Sequence, residues 1–290
     1  MIRVFLLALG AIAALATPAS ASDRRAGGKL LLTNGVSSVE GAAGGGLSTW
    51  AVIAGNETRD GIGGKVHVTL VALPDFDLES FGAAIGINDR VELSYAHQSF
   101  DTRRVGAALG LGRGFTFKQD VFGAKLRLIG DAVWEQDSWL PQIAVGVQHK
   151  RAARPAVIRA VGGAHHSGTD FYVAATKVVL PRSLVLNGTA RLTKANQFGL
   201  LGFGGNKHEG YRPQLEGSAG LMLSRRLVVG GEYRTKPDNL GFAREQDALD
   251  LFAAWAVARR VSVTAAYADL GDIATVRNQR GAFLSLQGSF

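Results

Sequence analysis

The stretch ALDLFAAWAVARRVSVTAAYADL (residues 248–270) holds two runs of alternating side chains on either side of Arg259 and Arg260. In the first run Leu249, Leu251, Ala253, Trp255 and Val257 fall on one side, and Ala248, Asp250, Phe252, Ala254 and Ala256 on the other. In the second, Val261, Val263, Ala265 and Tyr267 face away from Ser262, Thr264, Ala266 and Ala268. A repeat of two is the period of an extended strand with two unlike faces. One face of each run is continuously apolar.

The same pattern recurs upstream. Leu215, Ala219, Leu221 and Leu223 oppose Gln214, Glu216 and Ser218, and Leu227, Val229 and Tyr233 oppose Glu232, Arg234 and Lys236. Ile143, Val145 and Val147 oppose Gln142, Gln148 and Lys150, while Phe122, Ala124, Leu126 and Leu128 oppose Lys125 and Arg127. Val91, Leu93 and Tyr95 oppose Glu92, Ser94 and Gln98. Each run is roughly 9 to 11 residues long, the length with which a tilted strand crosses a hydrocarbon layer. The runs near Val66–Leu73 and Phe171–Val179 alternate poorly.

Two kinds of connection join the runs. Asn88–Arg90, Leu180–Ser183, Ser224–Arg226 and Ala258–Arg260 are tight; DTRRVGAALGLGRGF, RAARPAVIRAVGGAHHSG and NQFGLLGFGGNKHEGYRP are long and rich in Gly and Arg. Short turns at one end and long loops at the other describe a single antiparallel transmembrane β-barrel, all-β, with periplasmic turns and extracellular loops. Alternation alone also suits a soluble periplasmic β-sandwich. Even run length, the asymmetry of the connections and the chain end select the barrel. About 13 runs from Trp50 onwards, with Lys29–Gly41 as one more, predict about 14 strands, 12 being the other even count. Residues 29–48 supply either the first strand or, through the Gly-rich Glu40–Ser48, a plug inside the lumen.

The chain ends on AFLSLQGSF, where Ala282, Leu284, Leu286 and Phe290 share one face and Ser285, Gln287 and Ser289 the other. A sheet edge in lipid leaves backbone groups without partners, so the last strand must be regular enough to close on the first. This closing strand resembles that of outer-membrane barrels, in which a terminal aromatic, here Phe290, is the signal read by the barrel assembly machinery; Gly288 departs from the hydrophobic residue usual there.

Composition agrees with this reading. Of 290 residues 47% are hydrophobic and 19% charged, with 38 Gly against 7 Pro, a profile of turns and close-packed strands rather than disorder. The chain has no Cys, which excludes disulfides, thiolate metal sites and a lipidated amino-terminal Cys. Arg3, the apolar Val4–Ala16 and the small residues Ala19-Ser20-Ala21 form an export signal cut near Ala21, leaving residues 22–290 as the barrel. Roughly 13 apolar residues are too few for a helical membrane anchor.

GVSSVEGAAGGGLSTWAVIAG, DRVELSYAHQSFD, GDAVWEQDSWLPQIAVGVQHKR, SGTDFYVAATK, KANQFGLLGFGG, EYRTKPDNL and VTAAYADLGDIA resemble the conserved blocks of the family called domain of unknown function 3034. The resemblance spans essentially the whole mature chain. It implies an exported outer-membrane protein of a Gram-negative bacterium and brings no substrate, reaction or catalytic residue.

With the apolar faces toward lipid, the other faces place Lys125, Arg127, Lys150, Arg191, Arg234 and Lys236 in the lumen with Glu92, Glu216, Glu232 and Asp250. Such a set either lines a narrow, weakly anion-preferring path for an unidentified small solute or pairs into a filled, non-conducting interior. His166 beside Ser167 suggests a lipid-modifying hydrolase, but adjacent strand residues point to opposite faces, and no third ligand completes a metal site at His165 and His166. GLGRG, GFGGNK and GIGGK lack the helix and the GK[ST] ending of a phosphate loop. No catalytic residue, metal or cofactor is therefore expected. The net charge of +8 sits largely in loops, at Arg103, Arg104, Arg113, Arg151, Arg154, Arg159, Lys207 and Arg212. Export argues against a nucleic-acid partner; the phosphates of outer-membrane lipids and lipopolysaccharide suit these cations.

Overall fold

The computed structural model describes residues 29–290. The export signal predicted for residues 1–21 lies outside them. Twelve antiparallel strands close into a barrel in which each strand pairs with its neighbours in sequence and the last returns to the first. They are Ile62–Ala72 (β1), Asp77–Ile87 (β2), Val91–Asp101 (β3), Thr116–Ile129 (β4), Gln142–Ala152 (β5), Ser167–Val179 (β6), Leu184–Thr193 (β7), Arg212–Ser224 (β8), Leu227–Arg234 (β9), Ala248–Ala258 (β10), Val261–Asp269 (β11) and Arg280–Ser289 (β12). The count is 12 and not 14 because Lys29–Gly41 and the run beginning at Trp50 are not wall strands. From Thr33 onwards both lie inside the cylinder.

Alternation places the side chains as the pattern demands. Leu251 is 65% exposed and Trp255 52% on the outer wall, while Asp250, next to Leu251 in sequence, is 1% exposed. With no edge left, every wall strand has its backbone paired on both sides, as a hydrocarbon environment requires. Among the described residues no helix is long and apolar enough to cross a membrane.

One rim carries tight turns. Asn88 and Asp89 both adopt left-handed φ (54° and 48°), the geometry that matches the twist of flanking strands in a two-residue hairpin. Register shifts at Arg127/Ile129, Met222/Ser224 and Ala256/Ala258 adjoin the connections of this rim. The connection 130–141 is its exception, a longer link carrying Trp134 and the 89%-exposed Trp139, amphipathic rings suited to a membrane interface. The opposite rim carries the long loops, except for the short 73–76 link.

The two poorly alternating runs have a physical explanation. In β1 the inward positions change from polar Lys65, His67 and Thr69 to Val71, which joins the apolar cluster under the long loops. In β6, Tyr172, Ala174 and Val178 point inward with Asp170 and Thr176, and Tyr172 lies beneath the Arg191 guanidinium, 5.0 Å from ring centre.

Candidate functional site

Residues 33–55 are all buried, although only two short pairs of them, Val36–Ser37 and Ala43–Gly44, form a strand ladder. A chain without regular structure, removed from water, must find a partner for each backbone N–H and C=O. Here the lumenal side chains provide many of those partners. Glu92 accepts from the amides of Ala43 (3.1 Å) and Ala54 (2.9 Å), Glu232 from that of Leu47 (2.7 Å), and Glu216 from that of Thr49 (2.7 Å). Lys125 donates to the carbonyls of Ala43 (3.0 Å) and Val52 (2.8 Å), Arg234 to that of Leu47 (2.9 Å), and Lys65 to that of Gly35 (2.7 Å).

Small residues let this plug approach the wall. A side chain on Gly45 would put its Cβ 1.6 Å from Glu232 Oε1. Beside it Ser48 Oγ lies 2.5 Å from both Glu232 Oε1 and Ser218 Oγ, and the Trp50 indole donates to Ser218 Oγ at 2.9 Å.

The single acidic side chain of the plug's centre, Glu40, is fully buried and is held by Lys150 and by Arg234 (2.9 Å), with Arg191 at 4.0 Å. Lys150 also meets Asp170 at 2.7 Å, and Arg191 meets Glu216 at 2.5 Å. Glu40 and Asp170 were not among the residues predicted to face the lumen, and they supply the acidic partners for its cations. Asp170 was hidden by the blurred alternation of β6; Glu40 sits in a Gly-rich segment that has no period to read.

Seven of the ten predicted lumenal residues therefore converge on the plug: Glu92, Lys125, Lys150, Arg191, Glu216, Glu232 and Arg234. Three do not bond to it. Arg127 sits at the turn-bearing rim with Asp89 and Asp131. Lys236 lies under the long loops, donating to the Leu270 carbonyl at 2.8 Å with Glu245 at 3.6 Å. Asp250 pairs in register with Glu232, and among the described residues neither of its buried oxygens has a hydrogen-bond partner.

The mouth is closed from above as well. Loop residues Gln197 and Phe198, both left-handed (φ 44° and 60°), turn the loop into the barrel, and the Phe198 ring lies 4.5 Å from the Arg234 guanidinium. Leu200, Leu201, Leu240, Leu270 and Ile273 pack with Val39 and Leu47 of the plug against Phe100 and Phe283 of the wall. They leave a cavity of about 30 Å³, space for little more than water. In the loop behind them Glu245 is buried, and burial pushes its carboxyl up to about 7 despite the nearby Lys236.

Phe290 lies at the turn-bearing rim. Its carbonyl accepts from the amides of Asn56 and Gly64, both at 3.0 Å, and its own amide donates to Gly64 at 2.9 Å. Of the histidines, His165 faces Glu209 at 3.0 Å, and no hydrogen bond joins the side chains of His166 and Ser167 among the described residues.

A closed, up-and-down antiparallel barrel with an apolar outer belt and a polar interior is an outer-membrane β-barrel of porin-like fold. Its sequence places it more narrowly: the chain belongs to the family described as protein of unknown function DUF3034, which matches residues 33–287. No curated protein matches it. Among solved structures it is similar to the KdgM porin (TM-score 0.50, 9% identity, 78% of this chain and 99% of that one) and the NanC porin (TM-score 0.50, 6% identity, 78% and 98%). It is also similar to outer membrane phospholipase A from Escherichia coli (TM-score 0.41, 9% identity, 78% and 92%). At these identities the likeness to the two porins is one of fold.

Proposed function

We propose that the protein is a porin-like passage for small solutes in the outer membrane of a Gram-negative bacterium, shut at rest by its own amino-terminal plug. The observation that carries this reading is the occupation of the lumen by residues 33–55, fixed by the charged side chains that in an open barrel would line the path. Conduction then requires the plug to leave. No enzymatic step is assigned to the barrel, and Phe290 serves as its assembly signal.

The number of bonds holding the plug favours a second reading, a structural barrel that never conducts. One experiment separates the two. Ser48 and Ser218 place their hydroxyls 2.5 Å apart, close to the sulfur separation of a disulfide, in a chain with no other Cys. The S48C/S218C protein is expected to pass current in planar bilayers only when reduced and when the plug is loosened by E40A; oxidation silences it. A reduced, loosened protein that stays silent and leaves liposomes impermeable to sugars, amino acids and small anions establishes the structural barrel instead.

A further inference from the structure

The outer wall is not evenly convex. Across β4 to β8 the outward side chains form two rows: Leu126, Val145, Val173, Ala190 and Leu215 below, and Ala124, Val147, Phe171, Leu192 and Pro213 above. Short side chains at Val145, Val173 and Ala190, flanked by bulky Leu126, Phe171 and Leu215, leave a groove of about 590 Å³ on the membrane-facing surface.

One step nearer the long loops the chemistry changes abruptly. His149 Nδ1 lies 3.0 Å from Thr169 Oγ1, and the Tyr211 hydroxyl donates to the Thr169 carbonyl at 3.0 Å while its ring packs on Phe171 at 5.9 Å. Lys194 holds its ammonium 4.9 Å from the centre of the Tyr211 ring. Arg151 is exposed one register position beyond His149. Neither Arg151 nor Lys194 forms an ion pair among the described residues; the nearest acid in register, Asp120, bonds to His97 and Tyr95, both at 2.8 Å.

We propose that this patch is a binding site for one acylated, phosphorylated glycolipid of the outer leaflet, with a chain in the groove and a phosphate between Arg151 and Lys194. The occupant follows from position. A groove in the apolar belt meets only hydrocarbon, and two cations without a direct ion pair above it, at the rim bearing the long loops, meet the phosphates of that leaflet. Arg151 supplies a planar fork and Lys194 a point charge, held in place by stacking on Tyr211. The site lies on the outside of the wall and is independent of whether the lumen conducts.

The test measures binding of fluorescently labelled lipid A to the full mature protein in detergent, with phosphatidylglycerol vesicles as competitor. R151E/K194E and the groove-filling A190W are each expected to weaken binding at least tenfold, and phosphatidylglycerol is expected not to compete. Heat-modifiable electrophoretic migration reports that each variant barrel is folded; a variant that fails it is replaced by R151Q/K194Q or A190F. Unchanged affinity in either folded variant, or equal competition by phosphatidylglycerol, overturns the proposal.

Discussion

Glu40→Ala tests the clamp between plug and wall. It removes a fully buried carboxylate from among Lys150, Arg191 and Arg234, leaving the plugged state with cations whose partner is gone. Removing one member of a buried ion pair costs about 3–5 kcal/mol. The lower figure applies here, since Lys150 keeps Asp170 at 2.7 Å and Arg191 keeps Glu216 at 2.5 Å. About 3 kcal/mol shifts the equilibrium between seated and displaced plug roughly a hundredfold toward displacement, where water solvates the freed cations. Planar-bilayer recordings should then show openings absent from the wild type. Amide hydrogen exchange in residues 35–55 should accelerate by a similar factor while the wall strands keep their protection. If exchange is unchanged, Glu40 does not hold the plug; if exchange accelerates and the current stays flat, the emptied lumen is not a path.

Three further outcomes follow from the geometry. Gly45→Ala places a methyl on the Glu232 carboxylate, so the plug should seat poorly and openings should rise with no loss of heat-modifiable barrel; unaltered recordings contradict the close approach. Glu245, with a carboxyl at about 7 against an ordinary 4.5, binds its proton more tightly in the folded mouth than in the unfolded chain. The loop's stability should therefore fall as pH rises from about 4.5 to 7 and level off above, by at most about 3 kcal/mol. Proteolysis of the segment 235–247 should be faster at pH 8 than at pH 5, and E245Q should abolish the difference. Phe290→Ala retains the backbone bonds to Asn56 and Gly64 but loses the ring, so the yield of folded barrel in membranes should drop several-fold, as heat-modifiable migration would report.

The wall was legible because a membrane barrel forces a two-residue period on every strand that faces lipid on one side and polar contents on the other. That period located β8 to β12 and the inward placement of Glu92, Lys125, Lys150, Arg191, Glu216, Glu232 and Arg234. It faded where the interior is itself apolar, as at Val71 beneath the loops, and where an inward aromatic is wanted, as at Tyr172 under Arg191. The plug left no such trace, since a segment whose backbone is satisfied by side chains from β1 to β12 has no periodicity of its own. Its small residues identify it as material that fits a confined space. They do not say which wall residue each amide meets. The two apolar runs that raised the strand count belong to this segment, and their burial inside a lumen selects for the same residues as burial in a wall.

Phe290 meets the exit of the plug in a way that ties plug to closure. Phe290 completes the pairing of β12 with β1 through Gly64, and the same carbonyl accepts from the amide of Asn56, where the plug leaves the lumen. Gly64 has no side chain to occupy the place of the Phe290 ring; a Cβ there would lie 2.5 Å from the ring's Cζ. The plug's exit is thus tied to the seam between the last strand and the first. Glu92 on β3 and Glu232 on β9 grip the plug from distant parts of the sequence, and the closed wall holds both around it. Loosening the seam by Gly63→Ala, whose methyl would lie 2.7 Å from the Phe290 carbonyl oxygen, should therefore free the plug as well as weaken the barrel. The plug clamp mutant Glu40→Ala, which leaves the seam intact, should free the plug alone. Parallel measurement of exchange in residues 35–55 and in β12 distinguishes them, and a seam variant whose β12 exchanges faster while residues 35–55 keep their protection would show that seam and plug are not coupled.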